Sequence, residues 1–172
     1  EITTMGDIPS GSGLGSSSTV TVGALHAMHA YLNQSVSSEQ LAREACEIEI
    51  DTLKKPIGVQ DQYIAAYGGL RFFEFSTSGE VCNESIVLDP GIQTRLNENL
   101  LLFFTGITRS AASILTEQKE NIKDRKELLC TLKDMAYTAR DELVKGNVDV
   151  IGSLLHESWQ FKKQLAGGIS NG

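Results

Sequence analysis

One stretch constrains this chain more than any other: Pro9-Ser10-Gly11-Ser12-Gly13-Leu14-Gly15-Ser16-Ser17-Ser18, set between an extended segment and an apolar helical one. Alternating glycines carry no Cβ, so the backbone can come close to a ligand. Successive N–H groups in such a loop form an anion-binding concavity. The helix that follows adds unpaired N–H groups and a partial positive charge at its start. Loop and helix together make a cradle for phosphate. The serine hydroxyls add donors and a candidate oxygen ligand for magnesium.

Two common phosphate loops do not fit. G-x-x-x-x-G-K-[ST] is absent, because no Lys follows Gly15. G-x-G-x-x-G fails as well, because the third Gly falls two residues after the second. What remains, P-x-G-x-G-L-G-S-S-S, resembles the second signature motif of the GHMP kinases, the superfamily of galactokinase, homoserine kinase, mevalonate kinase and phosphomevalonate kinase. That resemblance implies that Gly11, Ser12, Gly13, Leu14, Gly15, Ser16, Ser17 and Ser18 cover the phosphates of ATP.

Composition agrees with a small-molecule site. The 172 residues are 41% hydrophobic and 22% charged, enough for a real core. A net charge of -7 argues against nucleic acid or an anionic membrane as the main partner. No apolar run reaches the roughly 18 residues a membrane helix needs, and no signal peptide is visible. Cys46, Cys82 and Cys130 are odd in number, far apart and without C-x-x-C. Neither a disulfide framework nor a zinc site is expected, and a reducing cytoplasm fits.

Residues 1–8 read as a strand entering the loop. A mostly buried helix is expected from Ser16 to Leu32, ended by Asn33. Ser37-Ser38-Glu39-Gln40 is a helix start, and that helix should run to Leu53 with Leu41, Ala45, Ile48 and Thr52 on one face. Lys54-Lys55-Pro56 breaks it. A short helix, Gln60 to Tyr67, closes at Gly68-Gly69. Arg71–Phe75 and Glu84–Leu88 read as strands around a Ser-Thr-Ser-Gly turn. Asp89-Pro90-Gly91 then reads as the start of a linker of about ten residues. The apolar run Leu100–Phe104 reads as a central strand. The remainder is helical: one helix through Ala112 and Ile122, a second with Leu128, Leu132, Met135, Ala139 and Leu143, a third from Val148 to Leu165. Strands first and helices later indicate α+β, with two subdomains meeting near residues 90–98.

Gly58-Val59-Gln60-Asp61-Gln62-Tyr63 is the second informative stretch. Asp61 at a helix start is either a capping carboxylate or a base that accepts a hydroxyl proton. G-x-x-D-Q resembles the galactokinase-like pattern, which implies the catalytic base. Glu49 lies twelve residues earlier on the preceding helix. The resemblance implies a Mg²⁺ pair of Glu49 with Ser17, Ser16 being the alternative serine. Glu47 competes with Glu49, but a helix sets the two about 200° apart, so both cannot face the site. Lys54–Tyr63, Ala65–Gly69 and Phe104–Ala111 resemble the heptose phosphate kinase branch. It implies transfer of the γ-phosphate to the anomeric hydroxyl of D-glycero-D-manno-heptose 7-phosphate, with Asp61, Gln62, Tyr63, Thr108 and Arg109 at the acceptor. Lys54 and Lys55 are further candidates for the acceptor's phosphate, but charges beside a proline turn read mainly as solvated. His26 and His29 lack a third metal ligand, and His156 and Trp159 read as packing or surface groups.

The resemblance implies a GHMP kinase fold fragment: a ribosomal protein S5 domain 2-like N-terminal part over 1–92 and a partial ferredoxin-like C-terminal domain over 93–172. The family's first and third motifs are absent, and the chain opens on Glu1 and closes on a glycine-rich connection. A piece of a longer protein is expected. ATP, Mg²⁺ and a sugar phosphate are the implied ligands, and a homodimer is compatible with the resemblance. Two rival readings remain: a kinase for unphosphorylated fucose or galactose, and a non-catalytic ligand-binding member.

Overall fold

The computed structural model describes residues 3–6, 13–103, 115, 121–122 and 124–165. These fall into two compact units, one holding the described residues up to Gly69 and the other those from Leu70 onward.

The first unit is built from α1 (Ser16–Tyr31), α2 (Ser38–Cys46) and α3 (Gln60–Tyr67). Val22, Leu41 and Ala45 form its buried centre, flanked by Leu25, Val36, Ala65 and Ala66. Asn33 ends α1 in the left-handed region at φ 54. Asn tolerates that conformation, and a Schellman motif results: Gln34 N–H bonds to His29 C=O at 2.9 Å and Asn33 N–H to Ala30 C=O at 3.0 Å. Ser37 caps α2, its hydroxyl accepting from Gln40 N–H at 3.1 Å.

α1 and α2 are also joined by His29 Nε2 and Glu44 Oε2, 2.8 Å apart. The hydrogen bond to Glu44 raises the His29 pKa above 6.5. A raised folded-state pKa contributes stability below the unfolded value, and loses it as pH rises through the folded one. The His29 ring should therefore titrate above 6.5 by NMR, and Glu44→Gln should move it back.

α2 does not continue as expected. From Glu47 to Thr52 it widens into a π-helical segment, closed by Leu53 N–H to Ile48 C=O at 2.9 Å. The wider turn puts Glu49 rather than Thr52 inside: Glu49 is wholly buried, whereas Glu47 and Thr52 are exposed. Lys54 then takes φ 53, and Lys55 N–H bonds back to Glu49 C=O at 3.0 Å.

The second unit opens with an antiparallel hairpin, β1 (Arg71–Phe75) and β2 (Val81–Ser85), with Phe75 opposite Val81 and Arg71 opposite Ser85. The second strand starts three residues earlier than expected. Gly79 at φ 86 turns the chain tightly, so pairing resumes at once after Glu80. Asp89-Pro90-Gly91 starts α4 (Pro90–Glu98) instead of a linker. Asp89 accepts from Gly91 N–H at 2.9 Å, and Pro90 occupies the first turn, where no N–H is needed. α5 (Lys126–Val144) and α6 (Val148–Lys162) pair as a hairpin around Gly146. Arg140 on α5 lies over the Phe72 ring at 4.7 Å and pairs with Glu84, tying α5 to the sheet.

Two expected strands are absent among the described residues. Residues 3–6 carry no strand, and Leu100–Phe103 carry none and are exposed. A central strand needs hydrogen-bonding neighbours, and the described residues hold one sheet, of two strands. Phe104 and nearly all of the expected 112–122 helix lie outside the described residues. No described helix is long and apolar enough to cross a membrane.

Candidate active site

The site is assembled where α1 begins. Gly13 and Gly15 have φ of 79 and 68, conformations that L side chains rarely adopt. Gly15 is the N-cap of α1, and no side chain caps that end among the described residues. The first-turn N–H groups of Ser16, Ser17 and Ser18 are thus without a side-chain cap among the described residues, as an anion site requires.

Asp61, in the first turn of α3, comes to this helix end. A Cβ placed on Gly15 would lie 3.3 Å from Asp61 Cγ and 3.4 Å from Oδ2. Gly15 is needed twice, for its backbone conformation and for the approach of the carboxylate. Gly15→Ala should cost about 1–2 kcal/mol from backbone strain alone. It should also push Asp61 away and depress turnover beyond what that instability explains, as comparison of denaturation and steady-state kinetics will show.

Glu49 is the electrostatic centre. Its Oε1 accepts from Ser17 Oγ at 2.5 Å and Lys55 Nζ at 2.8 Å. Its Oε2 accepts from Ser18 Oγ at 2.7 Å and Gln62 Nε2 at 2.6 Å. Lys55 Nζ also donates to Ser17 Oγ at 2.6 Å. Burial pushes the Glu49 carboxyl pKa up, but the hydrogen bonds from Lys55, Ser17, Ser18 and Gln62 outweigh it and hold it at about 2. Glu49 is therefore a fixed anion, locked in orientation by four donors. Burial pushes the Cys46 thiol up to about 11, with Glu49, Asp51 and Glu39 adding to it, so Cys46 is no nucleophile.

The structure brings Ser17 and Glu49 together and sets Asp61 against the glycine loop. Gln62 and Tyr63 turn inward instead. Gln62 is wholly buried with its amide on Glu49. Tyr63 donates to Glu39 at 3.0 Å, and its hydroxyl pKa rises to about 12 through burial and that bond. Gly11, Ser12, Thr108 and Arg109 lie outside the described residues. Sequence reasoning read Lys55 mainly as a solvated charge and missed its place on Ser17 and Glu49, whose signal was local: a lysine directly before proline, six residues after Glu49.

The Ser17 and Glu49 oxygens form a hard donor set already holding one cation, the Lys55 ammonium, so their chemistry suits magnesium. The described residues contain no group of three or more His, Cys, Asp or Glu suited to a metal. That is the usual condition of magnesium sites completed by substrate phosphates.

Residues 1–69 match the GHMP kinases N terminal domain. Over nearly its whole length it is similar to particular members. The D-glycero-alpha-D-manno-heptose 7-phosphate kinase of Campylobacter jejuni is 35% identical over 170 residues, 98% of this chain and 50% of that protein. A crystal structure described as a D-glycero-D-manno-heptose 1-phosphate kinase from Bacteroides thetaiotaomicron matches with TM-score 0.75 and 30% identity, over 92% of this chain and 46% of that one. The bifunctional fucokinase/GDP-fucose pyrophosphorylase of Arabidopsis thaliana is 29% identical over 177 residues, 99% of this chain and 17% of that protein. The fold is thus that of part of a GHMP kinase, and the chain spans about half the length of the heptose phosphate kinases it matches.

Proposed function

We propose that this chain is the part of an ATP-dependent sugar kinase that carries the phosphate loop and the base, acting on the anomeric hydroxyl of a heptose 7-phosphate. The observation that carries the reading is the Asp61 carboxyl, 3.3 Å from where a Cβ on Gly15 would lie, at the start of α1, which no described side chain caps. A phosphate seated on the α1 N–H groups would lie beside a carboxylate placed to take a proton.

The chemistry then follows. The acceptor hydroxyl gives its proton to Asp61 as its oxygen attacks the γ-phosphorus. The new O–P bond forms as the bond to the β–γ bridging oxygen breaks, and ADP carries that electron pair away. Ser16, Ser17 and Ser18 hold the phosphates through backbone N–H groups, while Gln62 and Ser18 keep Glu49 turned toward Ser17. Ser17 and Glu49 would hold the magnesium ion that accompanies ATP, which supplies charge neutralisation on the phosphates. Arg109 is assigned to the acceptor's own phosphate, because its fork matches phosphate oxygens. The domain limits of 1–92 and 93–172 are part of the same proposal.

The similarity to a fucokinase supports a second reading, in which the acceptor is an unphosphorylated sugar. An ADP-release assay on the intact protein with heptose 7-phosphate, fucose and galactose separates them. Turnover with heptose 7-phosphate, and a KM for it that rises in Arg109→Ala while that for ATP does not, is expected. Turnover confined to the unphosphorylated sugars would overturn the first reading.

A further inference from the structure

A divalent cation held by Ser17 and Glu49 would have to enter where Lys55 sits. Lys55 Nζ lies 2.6 Å from Ser17 Oγ and 2.8 Å from Glu49 Oε1, and those two oxygens are 2.5 Å apart. The ammonium is a compact, strongly hydrated point charge, so it satisfies hard oxygens much as a metal ion does. The backbone delivers it there. Lys55 N–H is tied to Glu49 C=O at 3.0 Å, Lys54 holds φ 53, and Pro56 keeps Lys55 extended.

The two partners differ in freedom. The Lys55 side chain is 37% exposed and the Glu49 side chain 0%. Glu49 is pinned through its other oxygen by Ser18 and Gln62. Lysine can leave for solvent by rotating its stem; the carboxylate cannot.

We propose that Lys55 is a resident counter-ion that competes with the divalent cation for Ser17 and Glu49, so that the metal enters as the lysine leaves. The inference rests on the proposed pairing of Ser17 and Glu49 as cation ligands. A buried carboxylate requires a partner, and Lys55 provides one while no metal is bound. A divalent cation and an ammonium on the same two oxygens would repel each other strongly, so they exclude one another. A metal arriving alone must displace the lysine for two protein ligands. A metal arriving with a nucleotide brings phosphate oxygens that complete its own shell and give the displaced ammonium an anionic partner. The lysine therefore couples the two ligands: each binds more tightly in the presence of the other.

The test uses Mn²⁺ alone on the intact, nucleotide-free protein, with free Mn²⁺ read by electron paramagnetic resonance. Lys55→Met removes the charge and keeps the stem. The Mn²⁺ Kd should tighten by about tenfold or more, the gain when a competitor that leaves one molecule in ten competent is removed. Adding Ser17→Ala to Lys55→Met should abolish the gain. Unchanged or weaker Mn²⁺ binding in folded Lys55→Met, or a gain that survives Ser17→Ala, overturns the proposal. Should Lys55→Met not fold, the wild-type chain decides. Acetylation of Lys55, followed by peptide mass spectrometry, should speed up when Mn²⁺ is added; an unchanged rate overturns the proposal. The underlying pairing fails separately: Ser17→Ala and Glu49→Gln would then leave Mg-ATP affinity of the otherwise wild-type protein unchanged.

Discussion

Asp61→Asn is expected to leave nucleotide affinity unchanged and to lower kcat by about 10²–10⁴-fold, the contribution of a positioned general base. The amide is close in shape to the carboxylate, so the placement beside Gly15 and the start of α3 persist. What disappears is the proton acceptor. Gly15 leaves room for Asp61 at the start of α1: a Cβ there would crowd the carboxyl at 3.3 Å. Paired measurements of nucleotide Kd and single-turnover rate make the check. A kcat within a factor of a few of wild type would remove Asp61 from the chemistry.

Glu49→Gln is expected to damage both stability and turnover. The carboxylate accepts four hydrogen bonds, from Ser17, Ser18, Lys55 and Gln62, in a wholly buried position. An amide has one accepting oxygen, and its NH₂ would face donors on the other side. Leaving buried donors without an acceptor costs about 1–3 kcal/mol. The larger penalty typical of a broken buried ion pair does not apply in full, because Lys55 is partly exposed and can turn to water. Turnover with Mg-ATP should fall by about 10²–10³-fold, the size of losing one preorganised charge-stabilising group. Chemical denaturation and steady-state kinetics at saturating nucleotide separate the two effects. A stable variant with wild-type turnover would show that Glu49 serves neither end.

Much of the first unit was legible because its signals are local. Ser37 announces α2 through its own hydroxyl, Asn33 ends α1 through a backbone conformation it tolerates, and Gly68-Gly69 closes α3. The resemblance singled out Glu49 over Glu47, and of the two Glu49 is the buried one. The π-helical widening was not legible, because no periodicity in Glu47–Thr52 distinguishes it from an ordinary turn. It moved Thr52 outward and, with the turn at Lys54, set Lys55 onto a carboxylate that it follows by six residues. The inward turn of Gln62 was illegible for a related reason: its amide is buried on Glu49, a contact set by packing. In the second unit Asp89-Pro90 misled because the same pair that starts a turn also makes a good N-cap and first helical position. Leu100–Phe103 has strand composition, but a strand exists through its partners, and those are matters of tertiary structure.

The most direct test is ³¹P NMR of the intact protein with Mg-ATP and heptose 7-phosphate. The account predicts a new anomeric phosphate resonance that grows as the γ-phosphate signal of ATP declines, and its loss in Asp61→Asn. Binding of ATP without any such resonance, for heptose 7-phosphate and for unphosphorylated sugars alike, would contradict it.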